Sequence, residues 1–192
     1  MPLTGMKKHI RVLEEAELVS TEKVGRTRRP IMNEQGSTAK ATITTPAERE
    51  IHVEREFEAP RDRVFAAFTD PALIPEWWGP HGTTTVVDEM EVRAGGKWRF
   101  VIHNSDGSET GFRGVFREVV ALERVVQTFE WEGMSGHVSV DTATFEDLGD
   151  GRTRVVSTSV FHMSEERDGM LESGMEKGLN ETYERLDELL AR

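Results

Sequence analysis

The stretch TDPALIPEWWGP (residues 69–80), followed by GGKWRF (95–100), decides how the rest of the chain is read. Asp70 has the chemistry of a helix cap, and Pro71 suits a first helical position, where its missing N–H costs nothing. Gly79 and Pro80 form a stop. Trp77 and Trp78 between them point about 100° apart on a helix, so both rings can hardly share one core contact. Leu73 and Trp77 lie four apart, as do Ile74 and Trp78, which gives this short helix two apolar flanks. One tryptophan is therefore expected in the core and the other at the wall of something else.

Upstream, IHVEREF (51–57) alternates Ile51, Val53 and Phe57 with His52, Glu54 and Glu56, the period-2 pattern of a half-buried strand. Arg55 falls on the apolar face, where it is either one half of an internal ion pair or a cation waiting for a ligand's acid group. Pro60 then opens a helix whose apolar stripe is Val64, Phe65 and Phe68. Downstream of Gly82, turn chemistry at RAGG (93–96), NSDGS (104–108), VALE (120–123), EGMSG (132–136) and EDLGDG (146–151) separates six runs. Strands are expected near 84–92, 97–104, 109–119, 123–131, 137–146 and 153–162. Links this short demand antiparallel neighbours, because parallel pairing needs crossovers of about a dozen residues.

From Glu165 onward Leu171, Met175, Leu179, Thr182, Leu186 and Leu189 recur at steps of three and four, predicting one long C-terminal helix capped by Ser164. Gly174 and Gly178 interrupt it at about 1 kcal/mol each relative to alanine, so the sheet or a ligand is expected to come close there.

The order of these elements, with FEAPRDRVF, TDPALIPEWWGP, GGKWRF, FRGVFREV and GLNETYERLDELL, closely resembles the SRPBCC superfamily. Within it the chain is similar to the group named for homology to the activator of the heat-shock-protein-90 ATPase, over about residues 50 to 191. The resemblance implies an α+β helix-grip (START/Bet v-like) fold. About seven strands form a curved antiparallel sheet around a long C-terminal helix, with two short helices after the first strand. It also implies a cavity between the concave sheet face and that helix. Strand alternation puts Trp98, Phe100 and Ile102 on one face, likewise Phe112, Gly114 and Phe116, and likewise Val125, Gln127, Phe129 and Trp131. With those faces concave, the expected ligand-binding residues are Arg55, Trp77, Trp78, Trp98, Phe100, Phe112, Phe116, Gln127, Phe129, Trp131, Gly174 and Gly178. The competing reading is that these aromatics are core packing alone. Arg55, Gln127, His103 and His137 are the candidate polar anchors, with His103 opposite Trp98 and so on the outside.

Ahead of this body, residues 1–31 form a short basic head and residues 32–49, rich in Ser, Thr and Ala, read as a flexible linker to the domain at 50–192. The head places Ile10, Leu13 and Leu18 around a short helical pattern, followed by charges alternating around Gly25 as in a small hairpin. Residues 6–29 resemble the recognition helix and wing of ArsR-type winged-helix repressors, without the helices that normally precede them. The head is thus expected to be a truncated fragment and not an independent DNA reader. It is a relic of fusion, a piece completed by a partner chain, or a start-site artefact ahead of Met32.

Composition narrows the function. Of 192 residues none is cysteine, which excludes disulfides, thiolate metal sites and a cysteine nucleophile, and makes a reducing cytoplasm the simplest address. No run reaches the roughly 18 apolar residues of a membrane span, so no membrane partner is expected. The net charge of −11 is concentrated in the body, since residues 1–30 hold seven Lys/Arg against four Asp/Glu. An acidic body repels phosphate backbones and argues against nucleic acid as its partner. The six histidines show no metal-ligand spacing, and no cofactor loop or nucleophile elbow occurs, so no catalytic residue, cofactor or metal is assigned. The expected function is binding of a small hydrophobic or aromatic molecule. The alternatives are a polyketide cyclase/aromatase-like or hydrolytic enzyme, a chaperone-associated regulator, and a transcription-linked sensor acting through the head. Exposed edge strands offer a route to a homodimer.

Overall fold

The computed structural model of the chain describes residues 19–24, 27–32 and 40–192. Two compact units divide at residues 38 and 39. In the first, β1 (Val19–Val24) pairs antiparallel with β2 (Thr27–Met32), the hairpin that the charge alternation around Gly25 suggests. The helical pattern around Ile10, Leu13 and Leu18 lies outside the described residues.

The second unit is one antiparallel sheet of eight strands with four helices, an α+β architecture. Its strands are β3 (Thr42–Thr44), β4 (Glu50–Phe57), β5 (Thr84–Met90), β6 (Lys97–His103), β7 (Glu109–Val120), β8 (Arg124–Trp131), β9 (Val138–Gly149) and β10 (Arg152–Val160). Their spatial order is β3-β4-β10-β9-β8-β7-β6-β5. The run from β5 to β10 is the meander that the short links require, and β4 closes it by pairing with the last strand. The eighth strand departs from expectation. Thr42–Thr44, inside the stretch read as a flexible linker, pairs with Glu54, Val53 and His52 along the free edge of β4.

Between β4 and β5 lie α1 (Arg61–Thr69) and α2 (Ile74–Trp77). The second is shorter than the sequence pattern suggests. Asp70 accepts from the backbone N–H of Ala72 at 2.9 Å, so a turn precedes α2 and Pro71 belongs to that turn. The C-terminal segment is two helices, α3 (Ser164–Glu172) and α4 (Met175–Leu190), where one was expected. The break is at Gly174, whose φ of 82° is left-handed and suits a residue without a Cβ. Ser164 does not cap α3. Glu166 reaches back instead and accepts from the backbone N–H of His162 and Met163 at 3.1 and 3.3 Å.

The core fills one side of the sheet. Ile51, Val53 and Phe57 of β4, Val155 of β10 and Phe145 of β9 meet Val64 and Ala67 of α1 and Tyr183, Leu186 and Leu190 of α4. Tyr183 stands edge-on to Phe57 at 5.5 Å between ring centroids. The opposite face carries ion pairs, among them Arg154 with Glu54, Glu56 and Glu146. Among the described residues no helix is long and apolar enough to cross a membrane.

Candidate functional site

The tryptophan pair is set by the local chain and by α4. Trp77 is buried, 3% exposed, and its indole N–H donates to the carbonyl of Ala67 in α1 at 2.9 Å. Trp78 ends α2, and its carbonyl accepts the hydroxyl of buried Thr85. Arg185 of α4 donates to the carbonyls of Gly79 and Pro75 at 2.9 and 3.2 Å, holding the Trp-Trp-Gly-Pro corner against the helix. So pinned, the Trp78 ring meets Phe100 and Phe112 edge-on at 5.2 and 5.1 Å. Trp98 with Phe100, Trp98 with Phe129 and Phe112 with Phe129 complete a closed circuit of five rings at 4.9, 5.9 and 5.4 Å.

Two chambers open on the concave face. The smaller, of about 130 Å³, is lined from α1 and α2 by Phe68, Ile74, Trp77 and Trp78 and from the sheet by Met90, Phe100, Val125, Gln127, Asp141 and Ser159. The larger, of about 300 Å³, runs between α3 and the ends of three strands, lined by Phe129, Trp131, Ser139, Phe161, Met163 and Met170. Phe129 and Gln127, Ser139 and Asp141, and Phe161 and Ser159 are each two residues apart on one side of a strand. The chambers are therefore neighbours along the strands, about 7 Å apart. Both chambers lie under α1, α2 and α3, while Tyr183, Leu186 and Leu190 of α4 are buried in the core.

The floor between the chambers is polar. Asp141 of β9 pairs with Gln127 of β8 on one side and Ser159 of β10 on the other. The Ser139 hydroxyl donates to the Asp141 carboxylate at 2.8 Å. Burial pushes the Asp141 carboxyl up from 3.8 to about 6, against the opposing pull of hydrogen bonds from Ser139 and Ser159. Tyr183, buried beside Ser157, has its phenol pushed up by the same cause. Among the described residues no group of three or more His, Asp or Glu side chains is placed to hold a metal ion.

The expected site residues divide. Trp77, Trp78, Phe100 and Gln127 line the smaller chamber and Phe129 and Trp131 the larger, with Trp131 41% exposed at the mouth. Phe112 backs Trp78 and Phe129 in the ring circuit and lines neither chamber. Trp98 and Phe116, 2% and 1% exposed, are core. Of the two readings of Arg55, the internal ion pair is realised: it is 3% exposed, bonded to Asp187 of α4, and its guanidinium lies 5.5 Å from the Phe57 ring. Gly174 and Gly178 do not mark a close approach, since a Cβ at either would meet nothing within 4 Å. Close approaches lie in the sheet instead, as at Gly114, where a Cβ would lie 1.9 Å from the carbonyl oxygen of Thr128 and 2.6 Å from the Trp98 indole nitrogen. His103 lies outside, 3.3 Å from Glu109, and His137 at the mouth of the larger chamber bonds Glu166 at 2.7 Å.

Asp141, Ser139 and Ser159 were missed, although the sequence carries a signal for them. In HVSVDTATF (137–145) and VVSTSVF (155–161) the polar residues share the face of Phe145, Val155 and Phe161, while Val138, Val140 and Val160 lie outside and exposed. This reverses the hydrophobic-in, polar-out alternation of a half-buried antiparallel sheet.

Comparison with known proteins follows this geometry. Residues 58–191 match the family model described as Activator of Hsp90 ATPase homolog 1-like protein. No curated protein matches the chain. A crystal structure of a protein from Rhodobacter sphaeroides superposes with a TM-score of 0.74 at 24% identity, covering 80% of this chain and 99% of that one. A solution structure from Arthrobacter aurescens gives 0.71 at 27%, covering 78% and 91%, and one from Staphylococcus epidermidis 0.68 at 25%, covering 78% and 93%. The helix-grip, SRPBCC-type fold is thereby established.

Proposed function

The chain belongs to the family of activator of Hsp90 ATPase homolog 1-like proteins, and from that premise we propose that it binds a small hydrophobic or aromatic molecule in the paired chambers. The observation that carries this reading is the larger chamber. Phe129, Phe161, Met163 and Met170 surround about 300 Å³ that no side chain fills. The cleft is partly open to solvent, with Trp131 and Met163 exposed at its rim, and an apolar ligand seated in it would remove that apolar surface from water. Ligand sites of this kind are typically apolar with a few placed polar groups.

An apolar ligand that loses about 300 Å² of surface gains roughly 7 kcal/mol from transfer. Association costs of about 4 kcal/mol or more leave only weak binding from shape. The polar floor at Asp141, Ser139 and Gln127 supplies the anchoring that shape lacks.

The test is native extraction of the purified protein with mass spectrometry of what is released, together with titration of apolar fluorescent probes. A stoichiometric small molecule, or a probe that quenches tryptophan emission and is displaced from a Met170→Trp variant, supports the reading. Absence of any copurified molecule together with failure of every probe to bind sinks it.

A further inference from the structure

Building on the proposed binding cavity, we infer that its floor selects a ligand with an apolar or aromatic body and one protonated amine, the amine seated on Asp141. Asp141 is an inward carboxyl on the middle strand of three, with Gln127 opposite it on β8 and Ser159 opposite it on β10. A carboxylate offers about four acceptor positions. Hydroxyls from Ser139 and Ser159 take two of them, and Asp141 lines the smaller chamber.

The side chains around this carboxyl bring no positive charge. Its neighbours in the smaller chamber are aromatic, aliphatic, hydroxyl or amide groups. The one cation on the concave face of β4, Arg55, is bonded to Asp187 and stands beside Val155, two inward positions further along the sheet than the Ser159 row. Asp141 is partly buried at the chamber wall, its partners from the chain are the neutral hydroxyls of Ser139 and Ser159, and desolvation shifts its carboxyl upward. A cationic ligand would supply a charged partner. The walls suit the same group: Trp77, Trp78 and Phe100 bring aromatic rings to the chamber, and a desolvated cation gains further from an aromatic face. The neighbouring chamber, about 7 Å along the strands, then takes the apolar body. A ligand carboxylate at the same place would meet Asp141 as a like charge.

The experiment compares phenylbutylamine, phenylbutanol and phenylbutyrate, three molecules with one body and different heads, by calorimetry on the full chain. It is run at about pH 8, where Asp141 is ionised, and in about 0.5 M NaCl, which screens attraction of amines to the acidic surface. The expected order is amine tightest, by about ten-fold over the alcohol, with the acid weakest. In Asp141→Asn the amine's advantage over the alcohol disappears. An amine no tighter than the alcohol, or an advantage that survives in Asp141→Asn, overturns the inference. The ranking on the unmodified protein decides the matter without the variant. Failure of all three to bind counts against the cavity reading itself, whereas equal binding of all three leaves the cavity and removes only its preference for amines.

Discussion

Two parts of the same concave face are built to opposite plans. Around β6 and β7 the inward residues Trp98, Phe100 and Phe116 are all 5% exposed or less, and Trp98 and Phe100 join Trp78, Phe112 and Phe129 in the ring circuit. Toward the chambers, the inward residues of β9 and β10 are Ser139, Asp141, Ser157 and Ser159, while Val138, Val140 and Val160 are turned outward. The first part spends its inward positions on closing the core, and the second leaves them polar with space in front. A sheet whose inward face is aromatic at one side and polar at the other holds a gradient of environments, and the chambers sit where the two plans meet.

Substitutions on the two sides are expected to differ in sign, and urea unfolding of the purified chain reads each one. The largest effect is expected from Phe116→Ala on the filled side, a loss of about 3–5 kcal/mol, because a fully buried ring leaves a cavity its neighbours cannot close. A cost below about 1 kcal/mol would mean that this side is not packed as described.

On the polar side Asp141→Asn should stabilise. The carboxyl titrates near 6 in the fold and at 3.8 ordinarily, so folding favours the protonated form. The stability present below about pH 4 is lost as the pH rises through 6, and the full cost persists above it. The variant removes that cost, worth up to about 3 kcal/mol at pH 8. It should also flatten the stability profile between pH 4 and 6. An unchanged profile would place Asp141 in water and dissolve the contrast.

Arg55→Met tests whether the ion pair belongs to the filled side. Losing the guanidinium leaves Asp187 without its partner, and since Asp187 is about a quarter exposed the cost is about 2 kcal/mol, less than for a fully buried pair. Phenylbutanol affinity should not change, because Arg55 lines neither chamber. The smallest effects separate the two helix glycines. Gly178→Ala, inside α4 with open space around it, should stabilise by up to about 1 kcal/mol. Gly174→Ala, at a φ of 82°, should cost about the same.

How much of this was legible follows from the range of each signal. Alternation along single strands identified Trp98, Phe100, Gln127 and Phe129 as inward, because the side-chain period of a strand is two wherever it lies. The same rule applied to β9 and β10 would have found Asp141, but polar residues between valines read most simply as the solvent side. Arg55 was recognisable as misplaced on an apolar face, yet its partner lies 132 residues away. Gly174 and Gly178 were read as close approaches when one is a left-handed break and the other is free space, while Gly114, a genuine close approach, looked like any strand glycine.

The chain alone determined the α+β class, the meander and the inward face of most strands, because link lengths and local periodicity act over a few residues. Tertiary structure decided what stands opposite each inward face. Helix α4 fills the space over Phe57 and Val155 with Tyr183 and Leu186, whereas α3, set off by the bend at Gly174, stands clear of Phe129 and Ser139. A void is a property of two surfaces that meet from distant parts of the sequence, and periodicity describes only one of them.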